Sequence, residues 1–286
     1  MIKTKKIIIV RGGGDLATGV VQKFHRAGLN VLILETSEPT AIRRSVALSE
    51  AVYDGYAKVE DIECRKIESL EDAESCWHEG KVALLVDPEG MSIRELKPDA
   101  VIDAIMAKRN TGTTRDMADI TIALGPGFNA GEDVHAVIET MRGHNLGRLI
   151  LKGQAEPNTG VPGEIAGEST RRVVRSPHEG VIIHKKQIGD IVVQGETLFS
   201  VENAKTHTEV HASIGGLLRG LIRENIRVSK GMKVADIDSR TDIDWRTISD
   251  KARCLGGAAL EAYYYLGTGN RKQILDSREQ EQETQL

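Results

Sequence analysis

The sequence predicts an α/β fold built on a parallel sheet, followed by a small all-β unit and a C-terminal helix. Three features carry that expectation. In "KKIIIVRGGGDLATGVVQKFHRAGLNVLILE" a strand, a glycine turn, a helix and a second strand follow one another. The runs "KVALLVDP", "AVIDAIM" and "DITIALGPGF" are apolar without alternation, as suits parallel strands covered on both faces. Beyond Arg171 the pattern changes to short apolar stretches between glycine turns.

In the first of these segments, Ile7 to Val10 form a strand, Leu16, Val20, Val21 and Phe24 recur at helical spacing, and Val31 to Leu34 form the next strand. The turn between strand and helix holds Gly12, Gly13 and Gly14, with Gly19 further on. It can bring a phosphate against the helix N-terminus. Glu35 ends the second strand where a ribose-binding acid would sit. The spacing is G-x-G-x-x-x-x-G, looser than the dinucleotide fingerprint, so a turn that only closes the corner is the competing reading. Asp15 follows the glycines and repels a pyrophosphate unless it caps the helix. "AGEDVHAVIETMRGHNLG" reads as a helix with an acidic first turn, and a terminal helix is expected from Asp244.

Ligands of such sheets collect at the carboxyl ends of strands. Two further loops follow apparent strands there. "AKRNTGTTRDMAD", Ala107 to Asp119, comes after Asp103 and offers Lys108 as a point charge, Arg109 as a bidentate fork, Asn110, Thr111 and Thr113 as neutral donors, and Gly112 for close approach. "GPGF" supplies Gly125, Pro126, Gly127 and Phe128. The alternative is that Asp103, Asp116 and Asp119 neutralise the basic groups in structural ion pairs. No catalytic residue is identified, and no metal spacing is present. His135 after Asp133 reads better as part of a surface helix than as a ligand. "QAEPNTGVPGEIAG" is either a flap or a linker, and "DKAR" is an interdomain or dimer contact.

Composition narrows the function. The chain of 286 residues carries 38 basic and 42 acidic side chains, a formal net charge of -4, so no global field draws nucleic acid or anionic membrane and any anion site is local. With 3% aromatic residues the core must be mostly aliphatic. Three cysteines without a CxxC pair, an apolar run at the start that stops at Arg11, and no run of membrane length predict a reduced, cytoplasmic protein. The expected organisation is residues 1–165, then 171–240, a helix over 244–270 and a frayed tail over 271–286.

The second half contains a repeat. Laid together, Gly180 meets Gly216, Val192 meets Val228, Gly195 meets Gly231, Leu198 meets Val234 and Val201 meets Ile237. The unit resembles the biotinyl and lipoyl carrier domains, barrel-sandwich hybrids, through "GDIVVQGETLFSVENAKTHTEVHASIGG". That resemblance places Lys205 in the hairpin of the prosthetic group. Ala204 and Thr206 replace the usual neighbours, so an unmodified lysine and a docking role are expected.

The motifs "VRGGGDLATGV", "AVYDG", "AKRNTGTTRDMADITIALGPGFNAGEDVHAVIET", "PNTGVPGEIAG" and "TISDKARCLGGAALEA", in this order, resemble the selenium-dependent molybdenum hydroxylase accessory protein family (YqeB-like). That family is related in its Rossmann-like part to the xanthine dehydrogenase accessory (XdhC-like) domains. The resemblance implies an accessory factor that binds molybdenum cofactor (molybdopterin) and delivers it to a molybdenum hydroxylase apo-enzyme, with homo-oligomers possible. Two alternatives remain: an NAD(P)-dependent oxidoreductase using Gly12, Gly14, Gly19 and Glu35, and an acyl or carboxyl carrier using Lys205.

Overall fold

The computed structural model describes residues 5–160 and 167–268. In chain order, β1 (Ile7–Arg11) leads through the glycine turn into α1 (Asp15–Arg26) and β2 (Asn30–Glu35), paired in parallel with Ile8 opposite Val31. Ala17, Val20, Val21 and Phe24 form the buried stripe of α1, while Lys23, His25 and Arg26 in its last turn oppose the helix dipole favourably. Then follow α2 (Ala51–Asp54), β3 (Tyr56–Val59), β4 (Ile62–Ile67), α3 (Glu71–His78), β5 (Val82–Val86), α4 (Met91–Leu96), β6 (Ala100–Asp103), β7 (Ile120–Leu124), β8 (Asn129–Ala130), β9 (Ala136–Ile138), β10 (Leu149–Ile150) and β11 (Gly153–Gln154).

Nine of these strands form one sheet in the order β10-β9-β7-β6-β1-β2-β5-β4-β3. Its interior pairings are parallel, but β3 on β4 and β10 on β9 are antiparallel. β3 and β4 are joined by Glu60 and Asp61 alone, a connection that only an antiparallel pair can close. β8 and β11 make a separate two-stranded sheet.

The second half comprises β12 (Val173–Arg175), β13 (Gly180–His184), β14 (Ile191–Val192), β15 (Thr197–Glu202), β16 (His207–His211), β17 (Gly216–Leu221), β18 (Arg227–Val228) and β19 (Lys233–Asp238). They form two four-stranded antiparallel sheets, β12-β19-β17-β14 and β16-β15-β13-β18. Ile182, Leu198, Phe199, Val201, Leu218, Leu221, Val234 and Ile237 fill one core. The sequence repeat is also a structural one, because its halves exchange strands: Val192 of β14 pairs Gly216 of β17, and Val228 of β18 pairs Gly180 of β13. At both glycines a side chain would collide with a neighbouring carbonyl, that of Glu202 at 2.6 Å or of Asp238 at 2.3 Å.

The last described element is α5 (Asp250–Gly267), capped by Ser249, whose hydroxyl accepts the Ala252 N–H at 3.2 Å. Ala252, Leu255, Ala259 and Ala262 of α5 belong to the same buried cluster as Val20, Phe24 and the strands of the large sheet. α1 and α5 meet backbone to backbone. A Cβ on Gly19 would lie 2.3 Å from the Ala252 carbonyl oxygen, and one on Gly256 would lie 2.2 Å from that of Gly19.

The expected fold class is therefore corrected. In place of a Rossmann-like α/β domain, a biotinyl/lipoyl-like barrel-sandwich and an appended helix, the described chain is a large mixed sheet with several small antiparallel sheets. α5 is built into the large sheet's core, and both outer edges of that sheet reverse direction. The helix expected in "AGEDVHAVIETMRGHNLG" is also absent: β9 occupies its centre, with Ala136, Val137 and Ile138 fully buried between β7 and β10. The boundary at 161–166 and the tail over 271–286 lie outside the described residues, and the domain division remains a proposal. Among the described residues no helix is long and apolar enough to cross a membrane.

Candidate functional site

Four adjacent parallel strands, β9, β7, β6 and β1, end on the same edge of the sheet. Beyond those ends lies a cavity of about 580 Å³, closed on its far side by β12, β17 and β19. Asp15 and Leu16 from the start of α1, Met106 and Lys108 after β6, Pro126 after β7, and Thr140 to Arg142 after β9 line one wall. Arg172, Arg175, Arg219, Lys233 and Asp236 line the other, and Ser249 and Lys251 bring in the start of α5. Two helix N-termini therefore face this space, each with a positive end of its dipole.

Its charge is the reverse of the chain's. Eight cationic side chains, Arg43, Lys108, Arg142, Arg172, Arg175, Arg219, Lys233 and Lys251, meet three carboxylates, Asp15, Glu156 and Asp236, in a chain whose net charge is -4. Some of this charge is neutralised locally. Arg172 Nη1 donates to Asp236 at 2.5 Å, Arg219 Nη1 to Asp238 at 2.9 Å, and Arg43 Nη1 to Asp15 at 3.3 Å. Yet Arg43 Nε and Nη2 and Arg219 Nε are buried without an acceptor among the described residues. Unsatisfied buried N–H groups are rare because each forfeits its hydration, and on a cation the loss is larger. Burial and the neighbouring Arg43 push Arg219 below the usual guanidinium range.

Glu139 shapes the rim. Only 3% exposed, it accepts the Met141 N–H at 2.6 Å and the Glu156 N–H at 2.8 Å, tying the two loops together. Arg142 then grips Asp250 through two bonds of 2.8 Å, which hold that carboxyl well below the carboxylate range. Because the folded pKa is depressed, this stability is present above the unfolded Asp value of about 4 and is lost as the pH falls. Asp250 is largely exposed and Arg142 partly so, and solvent limits the pair to about 1 kcal/mol. Urea unfolding should show Asp250→Asn destabilised by that amount at pH 7, with the gap to the parent protein narrowing as the pH falls below about 4.

The residues read from sequence fall into several groups. Asp15, Lys108 and Pro126 line the cavity, and Lys108 Nζ donates to Asn158 at 2.8 Å. Gly14 caps α1 with open space around it, whereas Gly19 is a helix-packing position. Gly12, at φ +94°, lies against Ala104 and Ile105, and Gly13 lies against Ser49. The Gly13 N–H, one of the expected anion donors, goes to Glu35 at 2.7 Å; Glu35 also accepts the Thr36 N–H, and burial raises its pKa. Asp103 is buried and pushed up in pKa by desolvation. It accepts the Thr113 hydroxyl at 2.6 Å, which itself accepts from Arg11 at 2.5 Å. Asn110 Oδ1 accepts from the N–H groups of Gly112 and Thr113, closing the loop on itself. Arg109 and Thr111 are exposed, and Arg109 is not part of the cavity wall; its backbone packs on Gly127. Gly125, at φ +77°, abuts Thr140, and Phe128 is buried in a small cluster with Val134 and Val137.

Sequence reading missed Arg43, Arg142, Arg172, Arg175, Arg219, Lys233 and Lys251, single cations scattered over the chain. The segment Glu156 to Gly160 of the suspected flap does line the cavity. A second cavity of about 830 Å³ sits near Lys97, Asp119 and His135, before β6, β7 and β9, at the amino ends of those strands and with acids and bases in balance. His135 Nδ1 accepts the Thr121 N–H there at 3.1 Å. Burial raises the Cys64 and Cys76 thiols in pKa, so neither is a ready nucleophile. Among the described residues no group of three or more His, Cys, Asp and Glu is placed to hold a metal ion.

No family model matches the chain. It is 43% identical over 275 residues to the uncharacterized protein YqeB of Escherichia coli (strain K12), an alignment covering 95% of this chain and 50% of that protein. The chain thus spans about half the length of the curated relative it matches. Solved structures that align include a succinylglutamate desuccinylase/aspartoacylase from Rhodobacter sphaeroides (11% identity, 84% of this chain and 86% of that one, TM-score 0.29). The product-bound ectoine utilization protein EutE (DoeB) from Ruegeria pomeroyi aligns at 12% identity over 76% of this chain and 61% of that one, with a TM-score of 0.25. An aspartoacylase family protein from Mesorhizobium loti aligns at 13% identity over 82% and 85%, again with 0.25.

These comparisons overturn the accessory-factor expectation. The aligned structures are named as a succinylglutamate desuccinylase/aspartoacylase, an aspartoacylase family protein and an ectoine utilization protein, none as XdhC-like, and the relative is uncharacterized. Molybdenum cofactor delivery, the selenium link, the NAD(P)-dependent oxidoreductase and the Lys205 carrier are withdrawn with it. TM-scores of 0.25 to 0.29 carry no argument for an activity of this chain either. What the chain is similar to at useful identity is YqeB, over half of that protein's length.

Proposed function

We propose that the cavity at the strand ends binds a small organic anion carrying at least two phosphate or carboxylate groups. The supporting observation is that eight cations face three carboxylates, with buried N–H groups of Arg43 and Arg219 left without acceptors among the described residues. An anion between the walls offsets the mutual repulsion of these groups and takes up the field of two helix N-termini. Lys108 and Asn158 sit at the mouth, one after β6 and the other on the 156–160 segment. A reducing, cytoplasmic setting is part of this reading and rests on the few, widely spaced cysteines of the sequence.

The test is thermal unfolding with pyrophosphate, citrate or chloride at matched ionic strength. A ligand at a hundred times its Kd stabilises the folded state by about 2.7 kcal/mol. Pyrophosphate or citrate should raise Tm by several degrees and chloride should not. Equal curves in all three salts would defeat the proposal.

A further inference from the structure

Lys251 stands apart from the other cations of the cavity. It lies in the first turn of α5, two residues after the Ser249 cap, where the helix dipole opposes a positive charge. It is half-buried and, among the described residues, makes no ion pair and no hydrogen bond through its side chain. Its neighbour Asp250, the obvious counter-ion, is committed to Arg142 by two bonds. Arg142 and Lys108 face the amine as like charges, and Asp15 and Glu139 are the carboxylates that face it. Asp15 is shared with Arg43, and both Glu139 oxygens are taken by backbone N–H groups.

We propose that Lys251 is a reactive amine that condenses with the carbonyl carbon of an anionic aldehyde or ketone bound in this cavity. The proposal rests on the anion-site reading given above and adds the ligand's reactive group. A lysine in this setting loses less by giving up its proton than a surface lysine does. Burial, with Arg142 next, holds its pKa below the usual ammonium range.

The chemistry balances without a further reactant. The lone pair of neutral Nζ forms the C–N bond while the carbonyl π pair moves to oxygen, and one nitrogen proton is transferred to that oxygen. The carbinolamine then loses its hydroxyl, with a proton, as water and becomes an imine. One amine and one carbonyl yield one imine and one water, with no change in oxidation state. The surrounding cations hold the anionic end of the molecule and disfavour protonation of the amine at the same time.

The probe is pyridoxal 5'-phosphate, a phosphate-bearing aldehyde, with pyridoxal as the arm that lacks the phosphate. The full chain is incubated with each at pH 7, reduced with borohydride and read by intact mass and peptide mapping. One adduct is expected, on Lys251, with at least tenfold less from pyridoxal and with suppression by pyrophosphate. Lys251→Arg, checked for an unchanged Tm, should lose that adduct. Labelling should persist to lower pH than labelling of exposed lysines such as Lys205. Label spread evenly over many lysines, or retained in Lys251→Arg, overturns the proposal. If pyrophosphate raises Tm but Lys251 stays unlabelled, the reactive amine fails while the anion site stands. If pyrophosphate does not bind and both aldehydes label Lys251 equally, the anion reading fails, and this proposal with it.

Discussion

Gly256→Ala and Gly257→Ala, adjacent residues of one helix and the same substitution, are expected to change stability in opposite directions. A methyl at Gly256 would sit 2.2 Å from the Gly19 carbonyl oxygen, a backbone atom that cannot swing aside, so α1 and α5 must separate. Overpacking of this kind costs about 1 to 3 kcal/mol, and more where two backbones must part. At Gly257 nothing lies within 4 Å and the residue is exposed, so the helix gains what alanine normally gives over glycine, about 0.5 to 1 kcal/mol. Urea unfolding of the two variants should place their midpoints on either side of the parent's. Equal effects would mean that the α1–α5 contact is not the close approach described. Gly19→Ala should behave like Gly256→Ala, since its methyl would meet the Ala252 carbonyl at 2.3 Å.

Gly19 also shows how far sequence could go. Its place near the glycine turn suggested a phosphate, because a glycine's local context says only that a side chain is absent. What excludes the side chain is α5, far along the chain, and no local pattern reports that. The strands around it were legible: Ile7 to Val10 and Val31 to Leu34 are apolar runs of strand length whose boundaries agree with β1 and β2 to within a residue or so. "AGEDVHAVIET" misled for a physical reason. Val134, Val137 and Ile138 recur at helical spacing, yet the segment lies between two strands, and the sheet's pairing outweighs the weak helical preference. The repeat in the second half was visible because glycines and apolar residues recur in register, but not which strands exchange partners.

The site was legible only where it is local. Of the residues in the loops after apolar strands, Asp15, Lys108 and Pro126 line the cavity. In the loop between Asp103 and Asp119 several polar residues satisfy one another: Asn110 closes the turn, and Asp103, Thr113 and Arg11 form a buried chain of bonds. Half of the cations, Arg175, Arg219, Lys233 and Lys251, come from β12, β17, β19 and the start of α5. Each such residue looks in sequence like an ordinary surface cation.

Arg43→Met is expected to separate binding from stability. The methionine keeps much of the apolar stem and removes the guanidinium of a residue that is 9% exposed, two of whose nitrogen atoms have no acceptor among the described residues. Its counter-ion among the described residues, Asp15, is a third exposed and can turn to water at the N-terminus of α1, which favours it. Loss of the arginine should therefore change stability without ligand by less than about 1 kcal/mol, in either direction, since replacing a poorly satisfied buried charge by an apolar group is often neutral or better. Affinity is another matter. A charge-assisted contact to a phosphate or carboxylate is worth about 1.5 to 3 kcal/mol, which is roughly tenfold to a hundredfold in Kd. Calorimetric titration with pyrophosphate beside a melting curve reads both quantities. If Arg43→Met unfolds readily while pyrophosphate binding is untouched, the arginine is a structural pin for the 42–54 segment, and the cavity's charge serves the fold rather than a ligand.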